Sequence, residues 1–137
     1  MNEDNPNSAN DREIVSIKSR LSFSQTVERL SSAFQSHGIK VFAAIDQQAE
    51  ANAVGLDMPP MVLILFGNPK AGTPLMVAQP LSGLDLPLKV LVSEANEGEV
   101  LVSFNSTQYL LKRHGLADKF GSNIDPAGRL IESALSD

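Results

Sequence analysis

The chain has 137 residues, enough for one domain that withdraws roughly two-thirds of its unfolded surface from water. Its 42% apolar and 20% charged residues suit a globular protein, while a net charge of −5 opposes a sequence-blind nucleic-acid binder, because neutralising phosphates takes clustered Lys and Arg. Without any cysteine, disulfides, thiolate nucleophiles and Cys-based zinc or iron–sulfur sites are excluded.

Residues 1–11 are polar and acidic, unlike the basic-then-apolar layout of a signal peptide, and are expected to form a disordered tail on a single domain of residues 12–137. A first strand is expected over residues 12–19. Ser24 then fits an N-cap, Val27, Leu30, Phe34 and His37 recur at helical spacing, and Gly38 closes that helix. Residues 39–45 are β-branched and aromatic, as in a strand. Asp46 caps a short Ala-rich helix over 47–54, ended by Gly55.

Residues 61–66 (Met-Val-Leu-Ile-Leu-Phe) are apolar on both faces, which places this strand centrally and requires both faces to be covered, by helices or by another chain. The run is far too short to cross a bilayer, and a cytoplasmic location is expected. Thr73-Pro74 reads as N-cap plus N1 proline of a helix to about Ala78, followed by a loop over 80–85. Residues 86–93 alternate, with Leu86, Leu88, Val90 and Val92 on one face. Asn96-Glu97-Gly98 forms a hairpin turn into a return strand over 99–105. Ser106 caps a helix to His114, which Gly115 ends. Asp125-Pro126 opens the last helix, whose Ala127, Leu130, Ile131, Ala134 and Leu135 form a core-facing stripe. The succession of strands and helices reads as an α/β alternation.

The segment Gly67-Asn68-Pro69-Lys70-Ala71-Gly72-Thr73 is the first place where chemistry could sit. Backbone N–H groups at a helix starting from Thr73 attract an anion, and Lys70 adds a point charge. Pro74 removes one donor, and the segment lacks the Gly-Lys-Ser/Thr ending of a Walker loop; a turn chosen for geometry alone is the competing account. Lys89, opposite the Leu/Val row, is either a solvated lysine or a second cation for the same anion. His114 follows Lys112 and Arg113, where cations offset helix C-terminal carbonyls; the sharper alternative makes it a proton carrier or ligand, with Asn105 and Tyr109 nearby. Two isolated histidines make no metal site, and Asp57 and Asp85 flank the turn as loop carboxylates.

Pro59-Pro60, Phe66-Gly-Asn-Pro-Lys-Ala-Gly-Thr-Pro-Leu-Met76, Leu84-Asp-Leu-Pro-Leu-Lys-Val-Leu-Val92, and Val102-Ser-Phe-Asn105 followed by Tyr109-Leu-Leu-Lys-Arg-His-Gly-Leu116 occur in this order. On these strings the chain resembles the family known as domain of unknown function 302, over residues 14–135. The resemblance implies an α+β fold like that of the TATA-binding protein, with a curved, mostly antiparallel sheet and helices packed on one side. It also implies a homodimer, and it supplies no activity, cofactor or catalytic residue. The site candidates Asn68, Lys70, Thr73, Lys89, Asn105 and His114 fall in the matching segments.

The expected function is therefore binding of a small anionic or polar ligand by a homodimer, with neither nucleic acid nor membrane as partner, no metal and no assigned cofactor. The alternatives are an enzyme using His114 as acid/base beside the 67–73 turn, and a purely structural or partner-binding module.

Overall fold

The computed structural model describes residues 13–95 and 97–136. The expected tail, the strand position Arg12 and the turn position Asn96 lie outside the described residues. Five strands, β1 (Ile14–Ser19), β2 (Lys40–Asp46), β3 (Met61–Gly67), β4 (Leu88–Glu94) and β5 (Val100–Asn105), form one sheet in the order β1-β5-β4-β3-β2. Every pairing is antiparallel. The α/β alternation expected from chain order therefore gives way to the α+β class implied by the family resemblance: every hydrogen-bonded neighbour is antiparallel, although β1 and β2, at opposite edges, run parallel and are joined by a helix that crosses the sheet.

Helix α1 (Phe23–Ser36) begins at Ser22, not Ser24. Ser22 Oγ accepts from the Gln25 N–H at 3.1 Å while Gln25 Oε1 accepts from the Ser22 N–H at 3.1 Å, a reciprocal capping box that satisfies two otherwise orphaned donors. The helix then buries Thr26, Leu30 and Phe34 on the sheet. Asp46 caps α2 (Gln47–Ala53) through the Ala49 N–H, as the sequence indicates. Ser106 likewise caps α4 (Thr107–His114), which ends at Gly115 with φ +62°.

Two helix starts differ from the sequence reading. Helix α3 (Pro69–Ala78) is capped by Asn68, so Thr73 and Pro74 lie inside it. The final helix, α5 (Gly121–Leu135), starts before Asp125 and carries Pro126 in its interior. Each early start costs one i→i−4 bond at the interior proline. The expected loop after α3 is a 3₁₀ segment, Pro80–Asp85.

Helices α1 and α5 pack on one sheet face over a core that includes Leu30, Phe34, Ile64, Phe66, Val90, Val92, Val102 and Ile131. Burying each such side chain contributes about 1.5–3 kcal/mol. Phe34 and Phe66 stack with centroids 4.2 Å apart and planes inclined by 13°. Along β3 only Val62, Ile64 and Phe66 are buried, and Met61, Leu63 and Leu65 stay half-buried on the other face. There Leu63 lies opposite Leu91, and Leu101 opposite Ser93. Helices thus cover one face of β3, and the second stays partly exposed within this chain.

Candidate functional site

A cavity of about 540 Å³ opens where β3 hands over to α3. Phe66 and Gly67 form its floor at the strand end, Ala71, Gly72 and Leu75 one helical wall, and Ile124, Ala127 and Leu130 of α5 the other. Leu86 and Leu88 close it from the approach to β4, and Ile39 and Phe42 from the start of β2. The hollow exists because the facing helices present small residues: Gly72 and Ala71 stand across from Ala127, and a Cβ built on Gly72 meets only Leu86 Cδ1 at 4.0 Å.

Phe42 reaches the cavity through an irregularity. Val41 pairs with Phe66 and Ala43 with Leu65, so Phe42 is an extra residue in β2. A bulge of this kind re-aims a side chain; the ring remains 43% exposed at the rim. Lys40 Nζ sits 5.0 Å from the centroid of that ring, within the range of a cation–π contact.

Most polar groups in the lining are already engaged. Asn123 Nδ2 donates to the Ala71 carbonyl at 2.9 Å, bridging α5 and α3. His37 Nδ1 donates to the Ala33 carbonyl at 2.9 Å. Asn68 Oδ1 accepts from the Lys70 N–H at 2.9 Å, and the Asn68 carbonyl accepts from the N–H groups of Ala71 and Gly72 at 2.8 and 2.9 Å. The first-turn amides of α3 are therefore satisfied within the chain, and Pro69 has none to offer. The anion cradle expected at a helix starting from Thr73 does not form, because that start lies one turn and more inside α3.

The six candidate residues separate. Asn68 and Thr73 line the large cavity. Lys89 and Asn105 border a small hollow of about 30 Å³, which shares Phe66, Leu88, Ile124 and Ala127 with the large one; that is room for about one water molecule. Lys70 is exposed and borders neither space. His114, its side chain 6% exposed, donates through Nε2 to Asp85 Oδ2 at 2.6 Å. Asp85 also faces Arg113 Nε at 3.3 Å. The Arg113 guanidinium, donating to Tyr109 Oη and lying near Asp85, is held above its ordinary pKa, by the hydrogen bond first and the carboxylate second. His114 lines neither hollow and instead ties α4 to the 3₁₀ segment.

A wider, more polar depression of about 580 Å³ lies over α4 and α5, bordered by Asp118, Asp125, Arg129 and Glu132. Among the described residues no group of three or more His, Cys, Asp or Glu is arranged to hold a metal ion. Sequence reasoning missed Phe42, Lys40 and the α5 wall. The α5 stripe was visible as core-facing, yet its spacing carries no sign of a gap beside it.

Fold and site together define an antiparallel α+β domain built around one apolar, ligand-sized hollow. The chain belongs to the family described as domain of unknown function DUF302, whose sequence model matches residues 15–136. It is similar to the crystal structure of an uncharacterized conserved protein DUF302 from Bacillus stearothermophilus, with a TM-score of 0.75 at 20% identity, covering 89% of this chain and 94% of that one. It is also 41% identical over 106 residues to a protein of Brucella suis biovar 1 (strain 1330) named fluoride-specific ion channel FluC 1, covering 77% of this chain and 42% of that protein. A protein of the same name from Brucella abortus biovar 1 (strain 9-941) matches at 41% identity over 77% of this chain and 39% of its own length. The chain thus spans about two-fifths of the length of these relatives.

Proposed function

We propose that this chain is a small-molecule-binding domain whose ligand enters the cavity between β3, α3 and α5. The observation that carries the reading is the cavity's combination of volume and chemistry: about 540 Å³, within the roughly 300–1,000 Å³ typical of ligand sites, with apolar walls and lining polar groups largely bonded to the chain itself. Such a space favours a largely apolar body over the compact anion expected from the 67–73 segment, since a polar ligand would shed water without gaining partners. Asn68 and Thr73 stay in the proposed contact set; Lys70, Lys89, Asn105 and His114 leave it.

The test is saturable fluorescence of the neutral probe 1-aminoanthracene, with a thermal shift alongside. Probe at 100 times its Kd should add about 2.7 kcal/mol, and Gly72→Phe, which projects a ring into the hollow, should remove both signals. A probe that binds wild type and Gly72→Phe alike would place the ligand elsewhere.

In the Brucella relatives the name fluoride-specific ion channel belongs to proteins more than twice the matched length. Among the described residues of this chain no helix is long and apolar enough to cross a membrane. We therefore propose that the matched region is a binding unit attached to the remainder of those proteins, and we assign no transport to it. The homodimer is proposed through the half-buried Leu63, Leu65, Leu91 and Leu101 face, an aliphatic band the chain itself leaves without a helix. Light scattering behind size exclusion tests this: Leu91→Glu should convert a dimer to a monomer, and a monomeric wild type defeats it.

A further inference from the structure

We infer that the cavity's ligand is an amphipathic monocarboxylate, with its hydrocarbon part between α3 and α5 and its carboxylate at Lys40. This rests on the cavity-binding reading above and adds the ligand's chemical class.

Two observations from different parts of the site converge. Inside, Phe66, Leu75, Ile124 and Leu130 surround the space, and Asn123, which faces it, spends its amide on Ala71. That interior selects hydrocarbon. At the rim the chemistry changes beside Phe42: its ring lines the cavity, and the ammonium of Lys40, which is not itself a lining residue, stands 5.0 Å from the ring centroid. Among the described residues no carboxylate pairs with Lys40, in a chain whose net charge is −5. A cation with no carboxylate partner among the described residues, one aromatic ring away from an apolar hollow, complements a negative head on an apolar tail.

One ammonium suits a single carboxylate, and His37, which borders the cavity, commits its Nδ1–H to the Ala33 carbonyl. A phosphate monoester carries more charge and asks for several donors at once, as a bidentate arginine or a run of free amides would supply. Neither is present at this rim, where the first amides of α3 are already used. The bulge gives the arrangement its economy of parts, because the same extra residue that seals the cavity also carries the ring under the ammonium.

The experiment titrates the full chain by calorimetry with hexanoate, octanoate and decanoate below their micellar concentrations, against 1-octanol as the neutral congener. Each buried methylene should tighten binding roughly fourfold until the hollow is full. Octanoate should bind about fivefold tighter than 1-octanol, the size of an exposed ion pair. Lys40→Met should reduce octanoate to the level of the alcohol while leaving 1-octanol unchanged, which also certifies that the variant is folded; Lys40→Arg should retain the preference. Equal binding of acid and alcohol, or an octanoate affinity untouched by Lys40→Met, overturns the carboxylate assignment and leaves the cavity reading standing. Failure of all four compounds to bind overturns both.

Discussion

His114 and Asp85 meet through a 2.6 Å contact between Nε2 and Oδ2, with both side chains largely withdrawn from solvent. The bond joins the last turn of α4 to the end of the 3₁₀ segment, twenty-nine residues earlier in the chain. That segment leads directly into Leu86 and Leu88, which close the cavity.

Removing one partner strands the other in a place water reaches poorly. His114→Ala and Asp85→Ala should each lower stability by about 1–3 kcal/mol, read from urea unfolding midpoints at constant m. Arg113→Ala should do far less, because that guanidinium is half-exposed. The double variant His114→Ala/Asp85→Ala should cost less than the sum of the two singles. Additive losses would show that the two groups act independently.

The stacked Phe34–Phe66 pair joins α1 to the C-terminal end of β3, with the two residues 0% and 2% exposed. Phe34→Ala should cost about 3–5 kcal/mol, roughly 10–15 °C in Tm. Phe34→Leu, which refills most of the volume, should cost much less. Equal losses for the two would mean that ring volume is not what holds α1 in place.

Gly72 and Gly128 offer a paired comparison. Both lie inside helices, where glycine is about 0.5–1 kcal/mol worse than alanine. A Cβ at Gly72 faces open space apart from Leu86 at 4.0 Å, whereas one at Gly128 lands 3.2 Å from Phe104 Cε2. Gly72→Ala should therefore raise stability by about 0.5–1 kcal/mol, and Gly128→Ala should gain less or lose. Thermal melts of the two variants check the order, and a reversed order would contradict the packing of α5 on β5.

Ser82 is 1% exposed, and its hydroxyl has no hydrogen-bond partner among the described residues. Burying an unpaired hydroxyl opposes folding, so Ser82→Ala should stabilise the protein by about 1 kcal/mol. A destabilised variant would mean that this hydroxyl has an unseen partner, such as a bound water.

Much of the fold could be read from the chain. The alternation of Val90 and Val92 with Lys89 and Leu91, the caps Asp46 and Ser106, and the glycines at 38, 55 and 115 are local signals, and each marks a real boundary. The sequence reading misplaces the start of α3 for a local reason: it takes Thr73-Pro74 as N-cap plus proline and passes over Asn68-Pro69, which has the same form. The structure uses Asn68-Pro69, because β3 ends at Gly67 and the helix follows at once. The candidate site was scarcely legible. Its helical walls, which include Ala71, Gly72 and Ala127, are more than fifty residues apart, and no spacing rule reports that two helices will meet with a hollow between them. The acid on Asp85 was visible, but its service as an anchor for His114 depends on a tertiary approach that sequence alone does not encode.

The irregularity between Val41 and Ala43 in β2 carries a consequence for how this family could vary. Excising Phe42 would let Val41 and Ala43 follow Phe66 and Leu65 in unbroken register, so the ladder and every strand beyond it would keep their places. The domain would still fold, but with its doorway stripped of the aromatic jamb. A single-codon deletion could thus alter what enters this protein while leaving its architecture intact.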